Sequence, residues 1–261
     1  MTTVLDRSLR LLEMLARAPE GLPLAALADR LEMPRSAAHR LLGELVRQGY
    51  VRQGRDGGPY ALTLKLVGLG LTFLAESGIP DIAQPVLDRL AAASGELVRL
   101  GVIRDGRLVW VAKAQGARAG LRYDPDNGAE AHLASTANGQ AWLATLPEEA
   151  ALALVAAQGF GEAARLGPQA PRSVQALLAR LAVARAQGFA TVSESSAPGT
   201  AAVAAVIRAA PAATAIGVLS IAGPSSRLDA ARLQALAPAL LVAAAELGQA
   251  GQASPLLRGV P

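Results

Sequence analysis

The most constraining feature of the sequence is the stretch at residues 34–50, PRSAAHRLLGELVRQGY, which predicts a short helix with two different faces. At about 100° per residue, one half of the helical wheel is apolar and the other carries hydrogen-bond donors with one acid. Pro34 suits a first helical turn, and Gly49 is a helix stop. Taken alone, the pattern is equally typical of a solvated surface helix and of a helix that enters a DNA major groove. The apolar half holds Ala38, Leu41, Leu42 and Leu45, and the other half holds Arg35, Ser36, His39, Arg40, Gly43, Glu44 and Arg47.

The residues in front of this helix favour the second interpretation. Val4 to Ala18 predicts a first helix, and Pro23 opens a second helix with a narrow apolar stripe. Glu32 and Met33 form only a short turn before the third helix. Two short helices joined by a brief turn, the second basic, indicate a helix-turn-helix. The predicted core positions are Leu5, Leu9, Leu12 and Ala16 in the first helix and Leu24, Leu27, Ala28 and Leu31 in the second.

Residues 50–62 predict a β-hairpin directly after the third helix, with a glycine-rich tip at residues 54–59. A hairpin in this place is a wing. Arginines cluster on the helix and the wing, against the acids Glu44 and Asp56, so positive charge is concentrated where DNA phosphates would lie. We therefore predict that DNA is contacted by Arg35, Ser36, His39 and Arg40, with Arg47, Arg52 and Arg55 as phosphate partners.

Composition excludes several classes of protein. The chain has 261 residues, which suits about two domains, and its net charge of +4 permits nucleic-acid binding without requiring it. The absence of cysteine excludes disulfides, a thiol nucleophile and a cysteine-zinc site, and two histidines are too few for a histidine-rich metal site. We expect no cofactor. The N-terminus has no apolar signal core, and the apolar run at 201–223 is interrupted by Arg208 and Pro211, so we expect a cytoplasmic protein without a membrane segment.

The remainder of the chain predicts a linker helix and an α+β domain with an antiparallel sheet. The helix at 63–77 has an apolar side with nothing to cover in a small N-terminal domain, so we expect it to pack against a partner subunit, and Gly78 and Pro80 to close it. Strands are expected at 97–103, 108–112, 120–124, 201–208 and 215–222, and helices at 82–93, 138–144, 148–157, 174–187 and 229–247. The predicted domains are a winged helix-turn-helix at 1–62, a linker and dimerisation helix at 63–79, a second domain at 80–250 and a C-terminal tail at 251–261.

Four blocks of the sequence, in the right order and spacing, resemble the IclR family of bacterial transcriptional regulators over nearly the whole chain. The blocks are Met33–Val51, Ser94–Val111 with Ser94-Gly95-Glu96 at its start, Ser135–Ala144 with Ser135-Thr136-Ala137-Asn138-Gly139-Gln140, and Val218–Arg227 with Gly223-Pro224. The resemblance implies a winged helix-turn-helix, a linker helix and a GAF-like effector-binding domain. It also implies a homodimer or homotetramer, double-stranded operator DNA, and a small organic or aromatic acid as effector.

The sequence departs from the family pattern at four positions. Ala37 replaces a threonine of the recognition helix, and Gln140 replaces a lysine. Val192 and Ala202 fall where some members place an aspartate and a cysteine in the effector pocket. The resemblance therefore implies a more apolar pocket than in members that sense small keto acids, and we hypothesise an aromatic or otherwise apolar carboxylate.

The candidate effector residues are those whose groups suit such an acid. Ala137 and Asn138 begin a helix, where free backbone N–H groups favour a carboxylate. Other side chains offer a hydroxyl, an acceptor, cationic groups or an aromatic surface, although a lone tryptophan in an apolar helix is more often a core residue. The full set is Arg122, His132, Ala137, Asn138, Trp142, Val192, Glu194, Ala202, Ser220 and Ala222.

Two other functions remain open from the residues. The chain could be a small-molecule sensor or an enzyme whose winged helix serves protein interaction, or a scaffold whose helix-turn-helix binds protein. Against the enzyme, the sequence shows no phosphate-binding glycine-rich loop, no Gly-x-Ser-x-Gly elbow and no zinc ligand set, so we predict no catalytic residues. Against the scaffold, the arginines cluster on one predicted face.

Overall fold

The computed structural model describes residues 3–55, 57–125, 127–209 and 213–257. Asp56 and Pro211, which were part of the predicted wing tip and the interrupted apolar run, lie outside the described residues. The chain divides into two compact units, Met1–Glu76 and Ser77–Pro261.

The first unit is a three-helix bundle with a hairpin. Its helices are α1 (Val4–Ala16), α2 (Leu24–Arg30) and α3 (Arg35–Arg47). Thr3 and Asp6 form a capping box that begins α1. The predicted core stripe of α1 is wrong, because Leu5 and Leu9 are exposed and Leu11 and Leu15 are the buried residues. A helix with apolar residues on two sides leaves the choice of buried face to its neighbours. The buried cluster is Leu11, Leu15, Leu27, Leu31, Leu41, Leu42, Val51 and Tyr60.

The hairpin and a further helix complete this unit. Strands β1 (Val51–Gln53) and β2 (Tyr60–Leu62) pair antiparallel, with Arg52 opposite Ala61. The next helix, α4 (Lys65–Glu76), has no buried residue in the chain as described. The predicted hairpin and the predicted exposed linker helix are therefore both present as elements.

The second unit is an α+β domain around a five-stranded sheet. Its strands follow the order β4-β3-β7-β6-β5, and every neighbouring pair is antiparallel. The α+β class with an antiparallel sheet is confirmed. The strands are β3 (Leu97–Arg104), β4 (Arg107–Gln115), β5 (Ala190–Ser193), β6 (Thr200–Ala209) and β7 (Thr214–Pro224), and the helices are α5 (Ile79–Ser94), α6 (Ala137–Leu143), α7 (Glu148–Gln158), α8 (Val174–Gln187) and α9 (Ala230–Ala250), with 3₁₀ turns at Ala163–Arg165 and Gly251–Ala253.

The sheet is buried on both faces, and alternate strand residues belong to different cores. Val203 of β6 packs with residues of α5 and α9, whereas its neighbour Ala204 packs with residues of α6, α7 and α8. By length and composition α9 resembles a membrane-spanning helix. Its residues Leu233, Leu240 and Leu247 are instead part of the first core, which explains its apolar composition.

Two predicted features of this unit are wrong. Residues 120–124 form a loop rather than a strand. The outer edge of β4 is instead hydrogen-bonded by residues 128–131, where Ala131 N donates to Leu108 O at 2.8 Å. Pro80 does not close the preceding helix but lies in the first turn of α5, where proline is tolerated because the first N–H groups of a helix have no partner.

Candidate nucleic-acid interface and ligand cavity

The polar half of α3 faces solvent. Ala38, Leu41 and Leu42 hold the helix against the rest of the first unit and are buried. The predicted contact residues Arg35, Ser36, His39 and Arg40 are all exposed. This surface presents guanidinium, imidazole and hydroxyl groups, which are the donors that bind base edges and phosphates.

The remaining predicted phosphate partners are also exposed but differ in their surroundings. Arg47 forms an ion pair with Glu44 on α3, and this hydrogen bond raises the pKa of Arg47. Arg52 lies on β1 and Arg55 at the wing tip. The tip requires glycine at Gly58, because an added Cβ would lie 2.7 Å from the carbonyl oxygen of Arg55.

The first turn of α4 is fastened to the end of α3. Lys65 Nζ donates to Gln48 O at 2.7 Å and lies 4.4 Å from the centre of the Tyr50 ring. Thr63 Oγ1 donates to Gly49 O at 2.6 Å. These contacts join the start of α4 to the residues that end α3.

A cavity of about 30 Å³ lies in the second unit, against the face of the sheet that carries α6. It brings together five of the ten predicted effector residues, namely Ala137, Asn138, Ala202, Ser220 and Ala222. Its other lining residues are Arg99, Trp110, Tyr123, Thr136, Ser196, Thr200 and Ala201.

The start of α6 is built by a tight buried turn. Thr136 Oγ1 accepts from Gly139 N at 3.0 Å and donates to His132 O at 2.8 Å. A Cβ on Gly139 would lie 2.3 Å from the backbone of Leu133, so glycine is required there. Gln140, which departs from the family pattern, is buried and donates to Ala134 O at 2.8 Å. This substitution therefore has a structural explanation.

The other five predicted effector residues lie away from the cavity lining. Trp142 and Val192 are buried in the core shared by α6, α7 and α8. Arg122 forms an ion pair with Asp124 at 3.3 Å. His132 Nδ1 lies 2.8 Å from Ser135 Oγ, and burial lowers the pKa of this histidine.

Glu194, the fifth of these residues, holds the loop between β5 and β6. Its carboxylate accepts from Ser225 Oγ at 2.5 Å and from Gly199 N at 2.7 Å, and these bonds lower its pKa. The same loop carries Ser196 and then Thr200 into the cavity lining. Glu194 therefore positions cavity residues without lining the cavity.

Sequence reasoning missed the aromatic and cationic part of the cavity wall. Arg99 on β3 is only 3% exposed, and its guanidinium carbon lies 3.7 Å from the centre of the Trp110 ring. Burial raises the pKa of Tyr123, whereas the charge of Arg99 opposes the rise. One signal was available, because Arg99 is the one charged residue in the apolar run LVRLGVI at 97–103.

Two of the sequence blocks meet in an ion pair between a buried carboxylate and a partly exposed guanidinium. Arg227 Nε donates to Glu96 Oε1 at 2.6 Å, and Nη2 donates to Oε2 at 2.8 Å. Gly223 leaves space for the carboxylate, since an added Cβ would lie 2.3 Å from Glu96 Oε2. Arg227 Nη1 also donates to Leu121 O at 2.9 Å and so fixes the loop that carries Tyr123.

Family models match both units. Residues 4–55 match the IclR helix-turn-helix domain, and residues 71–249 match the C-terminal domain of the bacterial transcriptional regulator IclR. The chain belongs to the IclR family of DNA-binding transcriptional regulators. In this family member, the exposed face of α3 therefore lies within the helix-turn-helix match, and the cavity lies within the C-terminal match.

Individual relatives agree with this assignment. The acetate operon repressor of Salmonella typhimurium is 29% identical over 93% of this chain and 88% of its own length. An HTH-type transcriptional regulator of Haemophilus influenzae is 34% identical, but the match spans 54% of this chain and 52% of that protein. The solved structure of an IclR homolog from Microbacterium hydrocarbonoxydans, complexed with 4-hydroxybenzoate, has a TM-score of 0.75 at 21% identity and covers 94% of this chain and 99% of that one. This last likeness shows the shared fold.

Proposed function

We propose that this regulator is a repressor that binds double-stranded operator DNA through α3 and the wing. The observation that carries the proposal is the exposed row of donors on a helix whose opposite face is buried in the first unit. Arg35 or Arg40 binds a guanine edge bidentately, and Arg47, Arg52 and Arg55 contact phosphates. The Salmonella relative is named as an operon repressor, which supports repression rather than activation.

We further propose that the protein acts as a homodimer or homotetramer. The exposed apolar side chains of α4 include Leu69 at 51% and Phe73 at 62% exposure, which is unusual for a monomer's surface helix. A second copy of α4 carries the same apolar side chains and buries this surface when the two helices pack together. Because Lys65 and Thr63 fasten the first turn of α4 to the end of α3, the arrangement of two α4 helices sets the spacing of two recognition helices on a pseudo-palindrome.

The proposed effector is a small organic acid, namely an apolar or aromatic carboxylate, bound in the cavity of the second unit. Ala202, which lines the cavity, is apolar where some family members have a cysteine, and the Microbacterium homolog is complexed with 4-hydroxybenzoate. The acid favours one arrangement of the subunits and so changes operator affinity. Calorimetry with benzoate and pyruvate tests this, and tight binding of pyruvate alone contradicts it.

We propose no enzymatic activity, cofactor or membrane association for this chain, and we expect it to act in the cytoplasm. Among the residues that the structure describes, no group of three or more histidine, aspartate or glutamate side chains could hold a metal ion. The apolar residues of α9 pack in the protein core.

Fluorescence anisotropy with DNA from upstream of the protein's own gene tests the repressor proposal, with random DNA as the comparison. We expect selective binding with a negative log–log dependence on salt. Arg40→Ala should weaken binding by about 1–3 kcal/mol if it contacts a base edge, or reduce the salt slope by about 1 if it contacts a phosphate. Arg232→Ala, which removes an exposed charge from α9, is the matched control. Equal, weak binding to both DNAs would contradict the proposal.

A further inference from the structure

We propose that the acid is recognised by a clamp of three residues, Arg99, Trp110 and Asn138, which no comparison and no sequence pattern assigned as a group. The inference rests on the proposed function, because it takes the cavity of the second unit as the effector site. It adds the residues that select a carboxylate and the side chain that has to move to admit it.

Arg99 supplies the positive charge of the clamp. Its side chain comes from the middle of β3, is 3% exposed and stacks at 3.7 Å on the Trp110 ring. A guanidinium remains protonated at any pH at which the protein is folded, and it carries N–H donors but no acceptor. Stacking fixes the plane of the guanidinium, which is the geometry that binds a carboxylate through two parallel hydrogen bonds.

The two other members have buried donors that no described group satisfies. Trp110 Nε1 and Asn138 Nδ2 are both inaccessible to solvent and lack a hydrogen-bond partner. Asn138 as a whole is 4% exposed. Unsatisfied buried donors are costly and rare in folded proteins. Because both of these atoms carry N–H donors, a ligand that forms hydrogen bonds with them has to supply acceptor atoms.

The remaining lining agrees with an organic acid that has an apolar body. Ala137, Ala201, Ala202 and Ala222 present small apolar surfaces, and Ser220 adds a hydroxyl from β7. None of the described residues that line the cavity carries a carboxylate. A carboxylate ligand therefore meets no like charge from them, whereas a neutral amide of the same shape places an NH₂ group against N–H donors.

The cavity must enlarge to admit such a ligand. Its volume of about 30 Å³ suits a single water molecule rather than an aromatic ring. Most of its walls are sheet strands or the buried helix α6. Tyr123 and Ser196 lie on loops instead. The loop of Tyr123 is held through its backbone carbonyls, with Gln115 Nε2 donating to Tyr123 O at 3.2 Å and Arg227 Nη1 donating to Leu121 O at 2.9 Å, and neither bond involves the Tyr123 ring. Displacement of Tyr123 therefore opens the clamp, and its ring then lies against the ligand or in solvent.

Isothermal titration calorimetry of the full-length protein tests the clamp with benzoate, pyruvate and benzamide as probes. We expect at least one carboxylate to bind at millimolar concentration or better, and benzamide to bind at least roughly tenfold more weakly than benzoate. Arg99→Gln should reduce carboxylate affinity by roughly tenfold to a hundredfold. Arg118→Gln removes an exposed charge that does not line the cavity and should bind as the wild type does.

Trp110→Phe provides a second variant if Arg99→Gln fails to fold, because it keeps an aromatic ring at this position and removes the Nε1 donor together with the five-membered part of the indole. We expect a carboxylate affinity that is lower by roughly threefold to tenfold. Operator affinity without acid, measured by anisotropy, should be the same in the wild type and in the control Arg118→Gln.

Three results overturn the clamp: equal binding of benzoate and benzamide, unchanged carboxylate affinity in both Arg99→Gln and Trp110→Phe, or no carboxylate binding by wild-type protein that binds its operator. The last result contradicts the clamp proposal but not the DNA-binding proposal. Failure of the wild type to bind its operator selectively removes the repressor proposal, whatever the calorimetry shows. The two failures are therefore distinguishable.

Discussion

Removing the partner of a buried carboxylate is the sharpest test of how the second unit is held together. Glu96 is 6% exposed at its side chain and receives two hydrogen bonds from Arg227, which is 38% exposed. Breaking a buried ion pair costs about 3–5 kcal/mol, and the partial exposure of Arg227 places the expected cost of Arg227→Met near the lower end, at about 3 kcal/mol. For a unit of this size, that is a fall in Tm of roughly 6–12 °C.

Tryptophan fluorescence during urea or thermal unfolding measures this unit alone, because both tryptophans, Trp110 and Trp142, lie within it. The double variant Glu96→Gln/Arg227→Met removes the buried charge together with its partner. It should therefore be more stable than Arg227→Met alone, although it also lacks the bond to Leu121 O. A loss below about 1 kcal/mol for Arg227→Met, or additive effects in the double variant, would refute the reasoning.

The remaining predictions concern packing and pH. Gly139→Ala places a Cβ 2.3 Å from the Leu133 backbone and should destabilise the second unit by about 3 kcal/mol or more. Gly188→Ala has open space around its Cβ but a φ of +82°, so it should cost only about 1 kcal/mol. Similar urea midpoints for the two variants would contradict the clash at Gly139. Burial lowers the pKa of His132 from its ordinary value of 6.5, so the unfolded chain binds more protons just below that pH, and the stability that neutral His132 contributes is present above pH 6.5 and lost as the pH falls through the folded-state pKa. His132→Gln should therefore flatten the decline in Tm as the pH falls below 6.5. An unchanged profile in His132→Gln would contradict this.

Local patterns were sufficient to predict most of the elements. Pro34 and Gly49 bracket α3, and the alternation of apolar and donor residues between them predicted which side is buried. Asp105 and Gly106 predicted the turn between β3 and β4 because few other dipeptides suit a tight hairpin. These features depend on residues close together in the chain, so no knowledge of the rest of the fold was needed.

The candidate cavity was predicted only in part, and the reason is its long-range construction. Ala137, Asn138 and Ser220 lie within blocks that resemble the family pattern, and they were predicted and do line the cavity. Trp142 lies in the same block as Asn138, yet it faces the core. Helical phase alone does not specify which neighbour a residue meets, so these two residues of α6 could not be told apart from the sequence.

The sequence by itself determined the family, the order of the elements and the exposed donor face of α3, since each is carried by residue types at short, fixed spacings. The tertiary structure decided that Leu11 and Leu15, rather than Leu5 and Leu9, form the core of α1, and that residues 128–131 rather than 120–124 pair with β4. It also decided that Arg99 and Trp110 stack beside Asn138. Pairing across a sheet joins residues distant in sequence, and their competition for the same buried space is settled only when the whole unit packs.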